Sequence, residues 1–248
     1  MSLRHMALGT LGLLLLWQAG IWLAHPPRYI LPSPSDVVAA LALKRSFLFW
    51  HSLITITEII VGLFCGALLG ATIALLCAAL PRLGGVFWPM VLVMQALPVF
   101  VLAPVLVLWF GFGIASKAVM ATIIIFFPVA SAFADGLRRT EPSILDAVAM
   151  TEASHWQTLR YIRVPLALPA LVSGLRVAAP LAPIGAVVGE WVGASAGLGF
   201  VMVQANARMQ TDTVFAAMSI LALLALLLRL AVDWTTARLV PWAPEAQS

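Results

Sequence analysis

Ionisable side chains within long apolar segments are the residues of this 248-residue chain best suited to chemistry or transport. Glu58, Arg176, Glu190 and Arg229 each stand inside or at the end of such a segment. At membrane depth, an ionisable side chain usually faces a bundle interior or an aqueous cavity. The alternative is an interhelical ion pair, or a long side chain that reaches the membrane surface. We predict pathway or gating roles for Glu58, Arg176 and Glu190, and the alternative for Arg229.

Three further residues in these segments could contact a solute. Gln95 and Pro98 stand on one apolar segment, and a proline removes a backbone hydrogen bond from a helix. They could border a broken helix beside a pathway, because irregular backbone at membrane depth lines a cavity. The alternative is an ordinary proline kink packed by its neighbours. Gln95 and Trp191 could supply the hydrogen-bonding groups and apolar walls that a small polar solute needs.

The glycines of one apolar segment have a different meaning. Gly62, Gly66 and Gly70 recur every four residues. This spacing places them near one helix face, where the missing side chains let another helix approach closely. We therefore predict that this face packs against a neighbouring helix.

The residue clusters of enzymes and metalloproteins are missing from this sequence. The four histidines are dispersed, and Cys65 and Cys77 would stand about 18 Å apart along one helix, too far for a disulfide. No G-x-x-x-x-G-K-[ST] pattern for ATP phosphates occurs. The 14 basic residues form no stripe for nucleic acid. We predict a protein that is not an enzyme, binds no metal, cofactor or nucleic acid, and takes its energy from another subunit.

The longest polar stretch, residues 137–167, predicts two short helices. Pro142 suits the first turn of one helix. Ser154, followed three residues later by Gln157, fits a capping box at the start of the second. We expect this second helix to end before Pro165, because a proline interrupts a helix.

Such a helical pair would project from the membrane as a compact knob. Trp156 and Leu159 are expected to be exposed there and could enter a partner's groove. The alternative is an amphipathic helix that lies on the bilayer surface.

A second polar segment, residues 25–52, begins with several prolines, which disfavour a helix at that point. Ser35 or Asp36 could then cap the short amphipathic helix that follows.

Composition indicates the environment that positions these residues. The chain is 62% hydrophobic and 10% charged, with a mean hydropathy of +1.05, whereas a soluble domain is about a quarter charged. Long continuous apolar runs favour membrane-spanning helices over a barrel. We predict an all-α polytopic membrane protein of one domain, residues 1–248. It would have about six spans, at 6–24, 53–79, 86–110, 115–136, 168–190 and 213–235.

An even number of spans puts both chain ends on one side. With the N-terminus inside, more of the basic residues fall in cytoplasmic segments than in outer ones, where Lys117 is placed. The first apolar segment, 6–24, is interpreted as a retained membrane anchor, because its C-terminal end lacks the small-residue pattern of a signal-peptide cleavage site. Both termini are therefore predicted to be cytoplasmic.

Within residues 137–167, three motifs resemble the EAA signature of permease subunits in binding-protein-dependent ABC importers: Asp146-Ala147-Val148, Glu152-Ala153-Ser154 and Ile162-x-Val164-Pro165. In that family this loop is a coupling helix that docks on the ATPase. The resemblance implies an ATPase contact through Asp146, Ala147, Glu152, Ala153, Ser154, Trp156 and Leu159. Glu152 stands where the signature has glycine. Glycine permits a backbone turn that would be strained for a residue with a side chain.

Motifs along nearly the whole chain resemble the nitrate/sulfonate/taurine-type branch of this family. They include Leu31-Pro32-Ser33-Pro34-Ser35, Gln95-x-x-Pro98 and Gly174-Leu175-Arg176. The resemblance implies the type I ABC importer permease fold and a multi-pass location in the bacterial inner (plasma) membrane, in contact with lipid. It also implies ABC ATPase subunits, a periplasmic or lipid-anchored solute-binding protein, and a second permease subunit, expected to be an identical copy.

The cargo is indicated by the run from Gly189 to Gly199, which is similar to permeases for pyrimidine precursors of thiamine. It implies a neutral, flat, hydroxymethylpyrimidine-like solute. One alternative is a sulfonate, taurine or nitrate permease, whose anionic cargo would favour unpaired positive charge along the route. Another is a secondary transporter, which would need internal repeats or paired broken helices; no clear repeat is apparent.

Overall fold

A computed structural model describes residues 3–96 and 98–242, which form helices joined by short connections. The two chain ends, to which the prediction of cytoplasmic termini refers, lie partly outside the described residues. The α-helices are α1 Leu3–Ala24, α2 Pro34–Leu43, α3 Arg45–Ala79, α4 Pro81–Ala96, α5 Ala103–Phe110, α6 Ile114–Arg138, α7 Pro142–Ala149, α8 His155–Thr158, α9 Val164–Ala178, α10 Ala182–Gly193, α11 Leu198–Ala207 and α12 Thr211–Leu239.

Within the described chain, four helical runs are long and apolar enough to cross a membrane, by length and composition. They are Arg45–Ala79, Ile114–Arg138, His155–Gly193 and Thr211–Leu239. These runs contain the predicted spans 53–79, 115–136, 168–190 and 213–235. The other two predicted spans fall on α1 and on α4 with α5. The all-helical membrane architecture is confirmed, and six remains an approximate number of spans.

The segment predicted as one span at 86–110 is broken. Pro98 has φ −62° and ψ 109°, which is extended rather than helical backbone. A 3-10 turn, Val99–Leu102, follows it. Pro104 then occupies the first turn of α5, where its missing N–H costs no helical hydrogen bond. Of the two alternatives for Gln95 and Pro98, the structure has the broken helix rather than an ordinary proline kink.

The small-residue face of α3 packs on α6. A Cβ added at Gly66 would stand 2.7 Å from the Cβ of Ile125. One added at Gly70 would stand 2.7 Å from the carbonyl oxygen of Phe126. Because real Cβ atoms do not approach so closely, glycine allows these two helices to cross in contact, as predicted.

The bundle has two ends that matter for function. At the end we call the loop end, the last turns of α3 and α6 meet the segment 139–163 around a core that includes Ala79, Leu137 and Leu159. At the opposite end, which we call the far end, the first half of α3 meets α10 and α11.

Two predicted helix boundaries are wrong. The cap of α2 is Ser33, not Ser35 or Asp36, because Pro34 suits the first helical position and the helix begins there. Asp36 is instead the third helical residue, and its side chain accepts a hydrogen bond from the backbone N–H of Ser33 at 3.0 Å.

The second boundary concerns α8, which does not end before Pro165. It continues through a π-helical turn, Leu159–Arg163, into α9 and on to Gly193. Pro165 lies in the first turn of α9, and the wider π turn accommodates its missing donor.

Candidate functional site

The segment between α6 and α9 contains the two predicted short helices. Ser154 caps α8: its hydroxyl accepts from the N–H of Gln157 at 3.3 Å, and the side chain of Gln157 accepts from the N–H of Ser154 at 2.8 Å. This confirms the predicted capping box. Pro142 opens α7, also as predicted.

Glu152 lies in the turn between these helices with a φ of +54°. This is the left-handed region that glycine adopts without penalty and that other residues adopt at a cost of about 1–2 kcal/mol. The turn therefore keeps the backbone conformation for which glycine would be best suited, although the side chain here is a glutamate.

Several contacts anchor this segment to the bundle. Leu159 is only 3% exposed and packs in the core of the loop end. The Arg163 guanidinium donates two hydrogen bonds to the carbonyl of Leu137, from Nε at 2.9 Å and from Nη2 at 2.7 Å. The predicted exposure of Leu159 is thus wrong, because the helix continues into α9 and carries this side chain inward.

Other apolar side chains of the segment are exposed. Trp156 is 60% exposed and Met150 is 88% exposed. Among the predicted contact residues, Asp146, Ala147, Glu152 and Ser154 are also exposed, whereas Ala153 is half-buried. Met150 was missed from the sequence, although an apolar residue beside a polar turn is the signal that could have found it. We call Met150, Glu152 and Trp156 the loop face.

At the far end, Glu190 joins three helices. Its carboxylate, which is 2% exposed, accepts hydrogen bonds from the Thr55 hydroxyl at 2.6 Å and from the N–H of Gly199. The Thr55 oxygen in turn accepts from the N–H of Leu198 at 2.8 Å. The first backbone donors of α11, which no helical carbonyl can satisfy, are therefore satisfied by side chains of α3 and α10.

The approach to α11 depends on a glycine. Gly197 has a φ of +111°, and a Cβ there would overlap the Glu190 carboxylate. Its N–H donates to Nδ1 of His51 at 2.9 Å. The glycine-rich sequence after Glu190 therefore lets the backbone wrap closely around this buried carboxylate.

A buried lysine completes this region. Lys117 is 1% exposed and donates hydrogen bonds to the carbonyls of Phe112, at 2.6 Å, and of Gly193. Glu58 lies one helical turn beyond Thr55 on α3 and is itself 2% exposed. We call Thr55, Glu58, Lys117 and Glu190 the far-end cluster. Lys117 was missed as a site residue because the sequence placed it at the edge of an outer segment.

Arg176, the predicted basic pathway residue, is paired. Its Nε lies 3.2 Å from Oδ1 of Asp233 on α12. Arg229 donates to the other oxygen of Asp233 at 2.8 Å and to the carbonyl of Arg176 at 2.6 Å. Arg176 therefore forms the interhelical ion pair that was the alternative to a pathway role, whereas Arg229 pairs with Asp233 within α12 and reaches α9 only through the carbonyl of Arg176.

A groove of about 570 Å³ runs between α4, α6 and α9. Its walls are mostly apolar and include Phe126 and Phe127, and its polar groups are Gln95, Ser131, Asp135 and Ser173. No basic side chain lines it among the described residues. Gln95 is the one predicted pathway residue that lines this groove; Pro98 is exposed at the adjacent helix break, and Trp191 is 55% exposed near the far end.

Residues 48–243 match the family model described as the inner membrane component of binding-protein-dependent transport systems. The chain belongs to this family. It is 47% identical over 228 residues to a probable ABC transporter permease protein of Haemophilus influenzae, covering 92% of this chain and 93% of that protein. It is therefore an ABC transporter permease subunit and not an enzyme.

Relatives with named cargo differ from one another. The chain is 35% identical to the formylaminopyrimidine transport permease ThiX of Halalkalibacterium halodurans, covering 93% of this chain and 92% of ThiX. It is 29% identical to the taurine transport permease TauC of Escherichia coli, covering 98% and 91%. These relatives confirm the branch that the motifs resembled.

The fold has a solved counterpart in the inward-facing MetNI methionine ABC transporter. The TM-score is 0.66 at 20% sequence identity, covering 77% of this chain and 96% of the matched chain. This likeness confirms the type I importer permease fold.

Proposed function

We propose that the loop face receives an ATPase subunit and that its movement opens the far end of the permease. The observation that carries this proposal is the continuous helical run His155–Gly193, 39 residues long, which includes the π turn Leu159–Arg163 and a 3-10 turn, Ala179–Leu181. Trp156 lies in its first turn and Glu190 in its last. A displacement of the loop face therefore has a direct mechanical path to the far-end cluster.

The far-end cluster is well suited to act as a gate. Glu190 connects α3 to the start of α11, and Lys117 connects α6 to the end of α10. These contacts are buried. Because water would compete for the same hydrogen bonds, they hold α3, α6, α10 and α11 together only while the far end stays closed to water. Opening must separate Thr55 from Glu190 or Leu198, and water then solvates the groups exposed. We therefore propose a gating role for Glu190, and for Glu58, which is buried one helical turn beyond Thr55.

Assembly with the ATPase tests the role of the loop face. Trp156→Ala removes a large exposed ring, and buried aromatic anchors at interfaces commonly contribute about 2 kcal/mol or more, a loss of about 30-fold in affinity. We expect Trp156→Ala to lose co-purification with the ATPase while still inserting in the membrane. The matched control is Trp191→Ala, because Trp191 is similarly exposed but lies near the far end.

Unchanged co-purification of Trp156→Ala would instead favour a loop that lies on the bilayer surface. An equal loss in Trp191→Ala would indicate a general defect of the permease and would also count against the docking role.

We also propose a neutral, flat, hydroxymethylpyrimidine-like cargo. The α4–α6–α9 groove offers aromatic walls, the amide of Gln95 and the carboxylate of Asp135, without a basic residue in its described lining. Such a lining favours a heteroaromatic ring with polar edges over an anion. The charge of Arg176, which an anionic cargo would need, is paired with Asp233.

Uptake by cells that produce the complete transporter tests this cargo. We expect labelled hydroxymethylpyrimidine to accumulate and a labelled sulfonate to be excluded. Sulfonate uptake without pyrimidine uptake would reject the cargo and would leave the permease function unaffected.

The assembly is proposed to contain two copies of this chain, ATPase subunits and an external solute-binding protein in a bacterial inner membrane, with both termini cytoplasmic. Reporter fusions at position 248 and within 139–163 should both report the cytoplasm; a periplasmic signal from either would refute the topology. Two differently tagged copies of the chain should co-purify, and failure to do so would indicate a distinct second permease.

A further inference from the structure

A second cavity lies at the loop end and shares no lining residue with the α4–α6–α9 groove. It has a volume of about 380 Å³ and lies between the last turn of α3, the start of α4 and the end of α6. Arg138 and Arg163 line it together with Trp88 and Cys77. No acidic residue contributes to its described lining.

The two arginines are held in place but not neutralised. Arg163 uses Nε and Nη2 to bind the Leu137 carbonyl, which leaves Nη1 free to donate elsewhere. The Arg138 guanidinium lies over the Trp88 ring, 4.7 Å from its centroid. Neither arginine forms a salt bridge with the described acidic residues. Planar guanidinium groups fixed in this way present several donors to the oxygens of a phosphate.

The depth of the cavity indicates where such a phosphate would come from. The candidate membrane-spanning runs of α3 and α6 end at Ala79 and Arg138, so we expect the cavity to lie near the level of the lipid headgroups. Trp88 is an aromatic residue of the kind that concentrates at this level. On α4, Val86, Phe87 and Met90 are 65%, 53% and 58% exposed, and they offer an apolar surface to acyl chains.

We propose that this cavity binds the phosphate of an anionic phospholipid headgroup. Basic pockets between membrane helices are suited to such headgroups, and here the acyl chains would lie along the exposed face of α4. Because Arg163 also ties the loop segment to α6, a bound headgroup would stabilise the attachment of the loop on which ATPase docking depends.

The test uses the full chain purified in a neutral detergent and supplied with phosphatidylglycerol, phosphatidylcholine or inorganic phosphate. Bound lipid is counted by native mass spectrometry, and thermal unfolding is measured in parallel. We expect phosphatidylglycerol to bind and to raise the unfolding temperature, whereas phosphatidylcholine and inorganic phosphate at equal concentration have little effect.

Arg138→Gln should weaken phosphatidylglycerol binding about tenfold, because it removes a charge-assisted donor set. Arg139→Gln is the matched control, since Arg139 is an exposed neighbour with the same charge that does not line the cavity. Arg138→Lys, which keeps the charge, should retain part of the binding and shows whether loss in Arg138→Gln reflects misfolding. Equal binding by Arg138→Gln and the wild type would overturn the proposal, as would equal losses in the two glutamine variants. Stabilisation by inorganic phosphate as strong as that by the lipid would also overturn it.

Discussion

Replacing Thr55 by valine tests the far-end cluster with a small change in shape. Thr55 is fully buried, and its hydroxyl both donates to Glu190 and accepts from the N–H of Leu198. Valine has nearly the same volume but no hydroxyl. The substitution therefore removes two hydrogen bonds and leaves the α11 donor without an acceptor.

The expected loss of stability follows from these two contacts. A buried donor left unsatisfied costs about 1–3 kcal/mol, and a hydrogen bond to a charged group contributes about 1.5–3 kcal/mol. Interhelical hydrogen bonds in membranes average only about 0.6 kcal/mol, so the lower part of the combined range applies. We expect Thr55→Val to lose about 2.5 kcal/mol, or about 70-fold in the unfolding equilibrium.

Unfolding by sodium dodecyl sulfate in mixed micelles measures this loss. Thr57→Val is the control, because Thr57 is exposed on the same helix and its hydroxyl donates only to the carbonyl of Leu53, at 2.8 Å. It should change stability by less than about 0.5 kcal/mol. If Thr55→Val and Thr57→Val unfold at the same detergent fraction, the far-end cluster does not hold the helices together as argued.

Three further predictions concern helix packing, the loop turn and a helix cap. Gly66→Ala should destabilise the α3–α6 crossing by about 1–3 kcal/mol in the same unfolding assay, whereas Gly85→Ala, whose Cβ would meet nothing within 4 Å, should not. Glu152→Gly should remove the cost of the left-handed backbone at this residue, about 1 kcal/mol. The turn should then be cleaved more slowly by proteases, and faster cleavage would contradict this. Hydrogen bonds from Ser33 lower the pKa of Asp36. The contribution of Asp36 to stability is therefore complete at pH values above the ordinary carboxyl pKa, and it is lost as the pH falls through the lowered pKa. The melting temperatures of wild type and Asp36→Asn should converge as the pH falls below that lowered pKa, and a gap that stays constant with pH would refute this role.

The helical bundle could be predicted because its signals are local. Long apolar runs indicate spans whatever their partners are, and Ser154 followed by Gln157 defines a cap within four residues. The spacing of the glycines at Gly66 and Gly70 also predicts a close helix crossing, although it does not name α6 as the partner. The break at Pro98 follows from the geometry of one residue.

The parts that could not be predicted depend on contacts between distant segments. Arg176 pairs with Asp233 across two helices, and no sequence pattern joins these positions. Lys117 is satisfied by backbone carbonyls, which carry no sequence signal. Leu159 was expected to be exposed because the helix was expected to stop, and the π turn that carries it inward requires the whole connection to α9.

ATP-driven uptake in reconstituted vesicles distinguishes an ABC importer permease from a secondary transporter. Vesicles would contain this chain with its ATPase, and the solute-binding protein and labelled hydroxymethylpyrimidine would be supplied outside. We expect uptake that requires ATP on the ATPase side and that Trp156→Ala abolishes. Uptake driven by an ion gradient without ATP would contradict this expectation and would indicate a secondary transporter.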